Sequence, residues 1–156
     1  MNHIAFRLFA LLTCALLSAC ATTGVKPPNP AVVAKMNAID RSSMATVVIY
    51  RESNYFGSAL RPTVMLNGKE FVNMGNGRVF VGTFRPGSYA FEMDDKKSGT
   101  EVNLTPGKSV FMKVEIVSGF WKGGGRLTQM APEQGAFESK RLELIPENEI
   151  EIPSYR

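Results

Sequence analysis

Residues 85–94 read Arg85-Pro86-Gly87-Ser88-Tyr89-Ala90-Phe91-Glu92-Met93-Asp94. Tyr89, Phe91 and Met93 alternate with Ala90, Glu92 and Asp94. A period of two belongs to a strand with one buried and one wet face. Arg85-Pro86-Gly87 supplies the turn that leads into it. The fold class is decided here, because the same pattern repeats in both directions.

Upstream, residues 44–51 (Met-Ala-Thr-Val-Val-Ile-Tyr-Arg) are β-branched and nearly continuous in apolar character, which suits a central strand covered on both faces. Residues 61–66 and 69–73 flank Asn67-Gly68, the strongest short hairpin signal. Residues 78–84 follow Gly75-Asn76-Gly77. Downstream, Thr105-Pro106-Gly107-Lys108 separates strands at 100–104 and 109–117. The second of these puts Val110, Met112, Val114 and Ile116 on one face, and Lys113 and Glu115 on the other. Residues 126–130 and 137–145 complete the set. About seven or eight short strands with Gly, Pro and Asn turns predict an all-β fold, an antiparallel β-sandwich over 44–145. Asn29-Pro30 offers a cap and a first helical residue. Val32, Val33, Met36 and Ile39 recur at helical spacing, so a short helix is expected over 30–40, in a segment (32–43) ahead of the sandwich. Residues 146–156, with Glu147, Glu149 and Glu151, read as an acidic, frayed tail.

Several of these signatures together have a family look. They are Tyr50-Arg51 closing the first strand, the 54–58 loop, Leu66-Asn67-Gly68-Lys69, Phe84-Arg85-Pro86-Gly87-Ser88-Tyr89, and Gly107-Lys108 before a long strand. The run 45–145 resembles an uncharacterised domain family of bacterial lipoproteins, related to transthyretin-like and PEGA-type β-sandwiches. The resemblance implies an adhesion or scaffold fold. It carries over no catalytic residues, since the shared motifs are turns.

The N-terminus points the same way. Arg7 precedes an apolar decamer, Leu8 to Leu17, and small residues follow it: a secretory signal in form. The run is too short to span a bilayer, which takes about 20 residues. Leu17-Ser18-Ala19-Cys20 resembles the lipobox of bacterial lipoproteins. That resemblance implies removal of residues 1–19, lipidation of Cys20, and attachment of the chain to a membrane. Ala21 stands where aspartate favours inner-membrane retention, so the expected place is the periplasmic face of the outer membrane. Residues 20–31, with Pro27, Pro28 and Pro30, then read as a solvated tether.

Composition narrows the chemistry. Both cysteines, Cys14 and Cys20, lie at or before the lipidation point, and the only histidine is His3. The mature chain therefore has no disulfide, no Ser-His-Asp triad, no Cys-His dyad and no His-ligated zinc site. Neither an enzyme nor a metal or cofactor requirement is expected. Residues 20–132 carry 14 basic and 8 acidic residues, net +6, and residues 133–156 carry 3 and 6, net −3. No basic helix or aromatic-interleaved patch accompanies that charge, so no nucleic-acid partner is expected. Pro106-Gly107-Lys108-Ser109 lacks both the earlier glycine and the helix of a phosphate loop. Asp94-Asp95 are neighbours in a charged turn rather than a converging pair.

The remaining candidates are contact residues. Phe120, Trp121, Lys122 and Arg126 lie in or beside a glycine-rich loop, and Tyr55 and Phe56 follow the first strand. Large aromatics on loops suit an envelope protein, a glycan or a lipid surface, although capping the sandwich is the commoner use. The expected function is a lipid-anchored structural or protein-interaction module. The alternative is binding of a small ligand or glycan by the 119–126 loop.

Overall fold

β1 (Ala45–Tyr50) is buried at every position, as a strand with no polar face must be. The computed structural model, which describes residues 24–39, 42–117 and 124–151, shows what covers it. β1 is the middle of a five-stranded sheet ordered β8 (Gly124–Met130), β7 (Ser109–Val117), β1, β4 (Arg78–Phe84), β9 (Glu143–Leu144). A second sheet, ordered β3 (Lys69–Asn73), β2 (Thr63–Leu66), β5 (Gly87–Met93), β6 (Gly99–Leu104), packs against it. The chain is an all-β sandwich.

The four-stranded sheet is antiparallel throughout. In the five-stranded sheet β1 pairs antiparallel with β4, and β7 with β8, but β1–β7 and β4–β9 are parallel. Alternation reports which face of a strand is buried, not the direction of its neighbour. A parallel pair needs a long crossover, and here the whole second sheet intervenes between β1 and β7. The β2–β3 hairpin turns as Asn67-Gly68 demands, with φ of 49° and 77° at the two central residues.

Between the sheets lie Val47, Ile49, Phe71, Phe80, Phe84 and Phe91. Their rings meet edge to face, Phe71 and Phe80 at 4.9 Å between centroids. A second core lies on the outer face of the five-stranded sheet, where Val48, Tyr50, Val81 and Phe111 face Val32, Met36 and Ala136. Two helices provide that cover. α1 (Pro30–Asn37) opens as expected, with Asn29 Oδ1 accepting from the Ala31 N–H at 3.0 Å. α2 (Pro132–Ser139) occupies a stretch that partly overlaps the strand expected over 137–145. The strand there is only two residues long. Pro132 at the first helical position and Glu133 in the first turn start a helix. Gly135 lets α2 lie directly on Phe111, because a β-carbon there would overlap that side chain.

The acidic tail, expected to fray, is docked through Glu151. Ile150 bridges Val72, and the Glu151 N–H donates to the Phe71 carbonyl at 2.9 Å. Glu147 pairs with Lys35, while Arg78 pairs with both Glu143 and Glu149. The opposite side of the sandwich is closed by Ser98, whose Oγ accepts from the Leu127 N–H and donates to its carbonyl.

Candidate contact site at one end of the sandwich

The residue that shapes this site is Arg51. It follows the buried run of β1 and is itself 2 % exposed. Its guanidinium donates to the carbonyls of Leu60 (2.6 Å), Gly57 (2.7 Å) and Met74 (3.1 Å). Burial lowers its pKa. No carboxylate is among these partners; the three carbonyl dipoles stabilise the cation. The effect is to clamp the loop between β1 and β2 against the turn after β3.

The loop is tied locally as well. The Asn54 side chain accepts from the Phe56 N–H, and the Asn54 N–H donates to Asn76 Oδ1 at 2.9 Å. Gly57 takes φ +70° and sits against β7, where an added β-carbon would lie 3.0 Å from Ile116 Cγ2. With its base held this way, the loop presents Tyr55 at 98 % exposure and Phe56 at 61 %. Leu60, in the same loop, is exposed as well. A large aromatic held almost wholly in water is the unusual use of such a residue. Neither ring folds back to cap the core.

Arg126 stands on the exposed face of β8, opposite Glu115 of β7. Phe120, Trp121 and Lys122, like Cys20, lie outside the described residues. The strands that lead to and from them, ending at Val117 and beginning at Gly124, do reach the Tyr55 end. Phe56 and Ile116 help line a cavity of about 150 Å³, and Leu60, Ile116 and Gly125 help line another of about 230 Å³. The structure thus brings the Tyr55–Phe56 loop beside the base of the β7–β8 hairpin, an arrangement that spacing in sequence does not reveal.

A polar cluster missed in the sequence lies behind this end, under α2. Tyr50 Oη donates to Glu138 Oε2 at 2.8 Å, Lys113 Nζ donates to the same oxygen at 3.0 Å, and Gln134 holds Oε1 at 2.8 Å. Lys113 also pairs with Glu52. Burial, then the hydrogen bond to Glu138, pushes the Tyr50 phenol far above its ordinary range. Burial alone would raise Glu138, but the hydrogen bonds from Gln134, Lys113 and Tyr50 outweigh it and hold the carboxyl low. Burial likewise opposes the charge on Lys113, yet its bonds to Glu52 and Glu138 raise its pKa. Tyr50, Lys113 and Glu138 are therefore each held in the resting protonation state, which suits fastening α2 to the sheet rather than moving protons. Pro132 and Glu133 were the sequence signal for it. Among the described residues no three His, Cys, Asp or Glu side chains gather to hold a metal ion.

A protein of Haemophilus influenzae described as uncharacterized is 25 % identical over 131 residues, spanning 83 % of this chain and 77 % of that one. No protein-family model and no solved structure matches the chain.

Proposed function

We propose that the mature chain is a lipid-anchored cell-envelope protein of the outer membrane, a structural or interaction module that works by contact rather than catalysis. The lipobox-like Leu17-Ser18-Ala19-Cys20 supports the anchor. One observation carries the contact role: Tyr55 and Phe56 stand exposed, side by side, on a loop whose base is fixed by a buried arginine. Presenting aromatic surface from a pre-ordered loop lowers the entropy lost on association. Such residues are common anchors of contact surfaces.

Two measurements test the two halves of this reading. Globomycin should leave a larger precursor, and Cys20→Ser should release the protein from membranes; a Cys20→Ser protein still membrane-bound and acylated sinks the anchor. For contact, a photo-crosslinking amino acid at position 55 should capture an envelope component in cells. The same group at Thr105, an exposed position in a distant turn, should not. Equal yields from the two positions count against Tyr55 as a contact residue.

A further inference from the structure

We infer that the Tyr55–Phe56 end of the sandwich docks on the phospholipid surface itself, with the two rings at the boundary between headgroups and acyl chains. This rests on the lipid-anchored reading and names the partner of the same site.

The argument begins where the N-terminal segment meets the domain. The Asn29 N–H donates to the Lys140 carbonyl at 2.7 Å, and its side chain donates to the Leu142 carbonyl at 2.8 Å. The next residue, Glu143, donates to the Gly77 carbonyl at 2.9 Å. Gly77 lies against Ser53, and its neighbour Asn76 accepts from the Asn54 N–H. A short chain of contacts thus joins Asn29 to the residue before Tyr55, so the tether leaves from the aromatic end. α1 runs away from that end, bringing Ala38 and Ile39 beside Met44 and Thr83, where β1 begins and β4 finishes.

Length makes this placement consequential. Eight residues separate Cys20 from Asn29, and fully extended they reach about 30 Å. β7, nine residues long, is itself about 30 Å. To turn its far end to the bilayer, the domain would need the whole tether stretched flat along its side. The near end faces the lipid, and among the described residues Tyr55 and Phe56 are the aromatic groups exposed there.

The chemistry fits that position. Tyrosine and phenylalanine place an apolar body in the upper acyl region, and tyrosine keeps its hydroxyl wet. Among the described residues lining the larger cavity here, Arg61 and Lys97 are balanced by Asp94 and Asp95, as Arg126 is by Glu115 across β7 and β8. The rings rather than electrostatic attraction set the contact, and salt should not abolish it.

The test uses the full acylated protein in vesicles of phosphatidylethanolamine and phosphatidylglycerol containing lipids brominated in the upper acyl chain. An environment-sensitive fluorophore is placed on Tyr55→Cys or, as control, on Thr105→Cys at the opposite end. Quenching severalfold stronger at 55 than at 105, and persisting in high salt, is the expected result. Equal quenching on protein that is acylated and vesicle-bound overturns the docking while leaving the anchor intact. Protein whose Cys20 carries no lipid by mass spectrometry, and which stays off the vesicles, overturns the anchored reading and this inference together. A position-55 crosslink to an envelope protein, without lipid quenching, overturns lipid docking and leaves the contact role standing.

Discussion

Arg51 is the residue on which the exposed loop depends. Three carbonyls from two chain segments converge on one buried guanidinium, so removing it leaves polar groups unpaired as well as losing bonds. Arg51→Met is expected to lower stability by about 3 kcal/mol in urea denaturation, the scale set for a buried charged hydrogen-bond centre. Arg51→Lys should recover part of that, since an ammonium lacks the rigid fork. Gly57→Ala places a side chain at φ +70° against Ile116 and should cost about 1–2 kcal/mol by the same measurement. Tyr55→Ser, by contrast, should leave the melting temperature unchanged, because the ring is in water. Tyr55 and Phe56 were legible as contact candidates from their type and place after a strand. The role of Arg51 was not, since an arginine at the end of an apolar run reads as a solvated strand end. Only the three carbonyls brought to it from later in the chain show otherwise.

At the scale of elements, α2 shows what alternation can and cannot reveal. The hairpins, and the strands from β2 to β7, were legible because turn residues fix their ends and, β4 apart, one face is the wetter. The helix at 132–139 carried a start signal, yet its packing depends on a glycine set against Phe111. Gly135→Ala should push α2 off the sheet and destabilise by about 1–3 kcal/mol, as overpacking does. Glu138→Gln removes the carboxylate that gathers Tyr50, Lys113 and Gln134, and should cost about 1–2 kcal/mol at neutral pH. The sign of the pH dependence follows from the direction of the shift. The folded state holds Glu138 below its ordinary pKa, so its contribution is present above the ordinary range and fades as pH falls through the lowered value. Chemical denaturation between pH 7 and about pH 3 should therefore show a shallower acid loss in Glu138→Gln than in the parent.

For the molecule as a whole, the sandwich has two open sides, one closed by Ser98 against β8 and the other by the C-terminal segment. That segment read as a solubilising tail because Glu147, Glu149 and Glu151 recur at a spacing of two between Pro146 and Pro153. It docks because Arg78 and Lys35, far away in sequence, receive those acids. Deleting residues 146–156 should free the β3 edge at Phe71 and Val72 and promote strand pairing between copies, seen as concentration-dependent mass in sedimentation. The order in which the chain is synthesised adds a last consequence. Among the described residues β1 is the first strand made, and it is buried on both faces, yet its partners arrive only with residues 78–84 and 109–113. The cover for its outer face is completed later still, by α2. No early part of the chain can close a core around it, so the folding nucleus must join distant segments, and contact order of this kind favours slow folding. The domain is a late folder by construction, and nearly the whole chain must be free before any of it is secure.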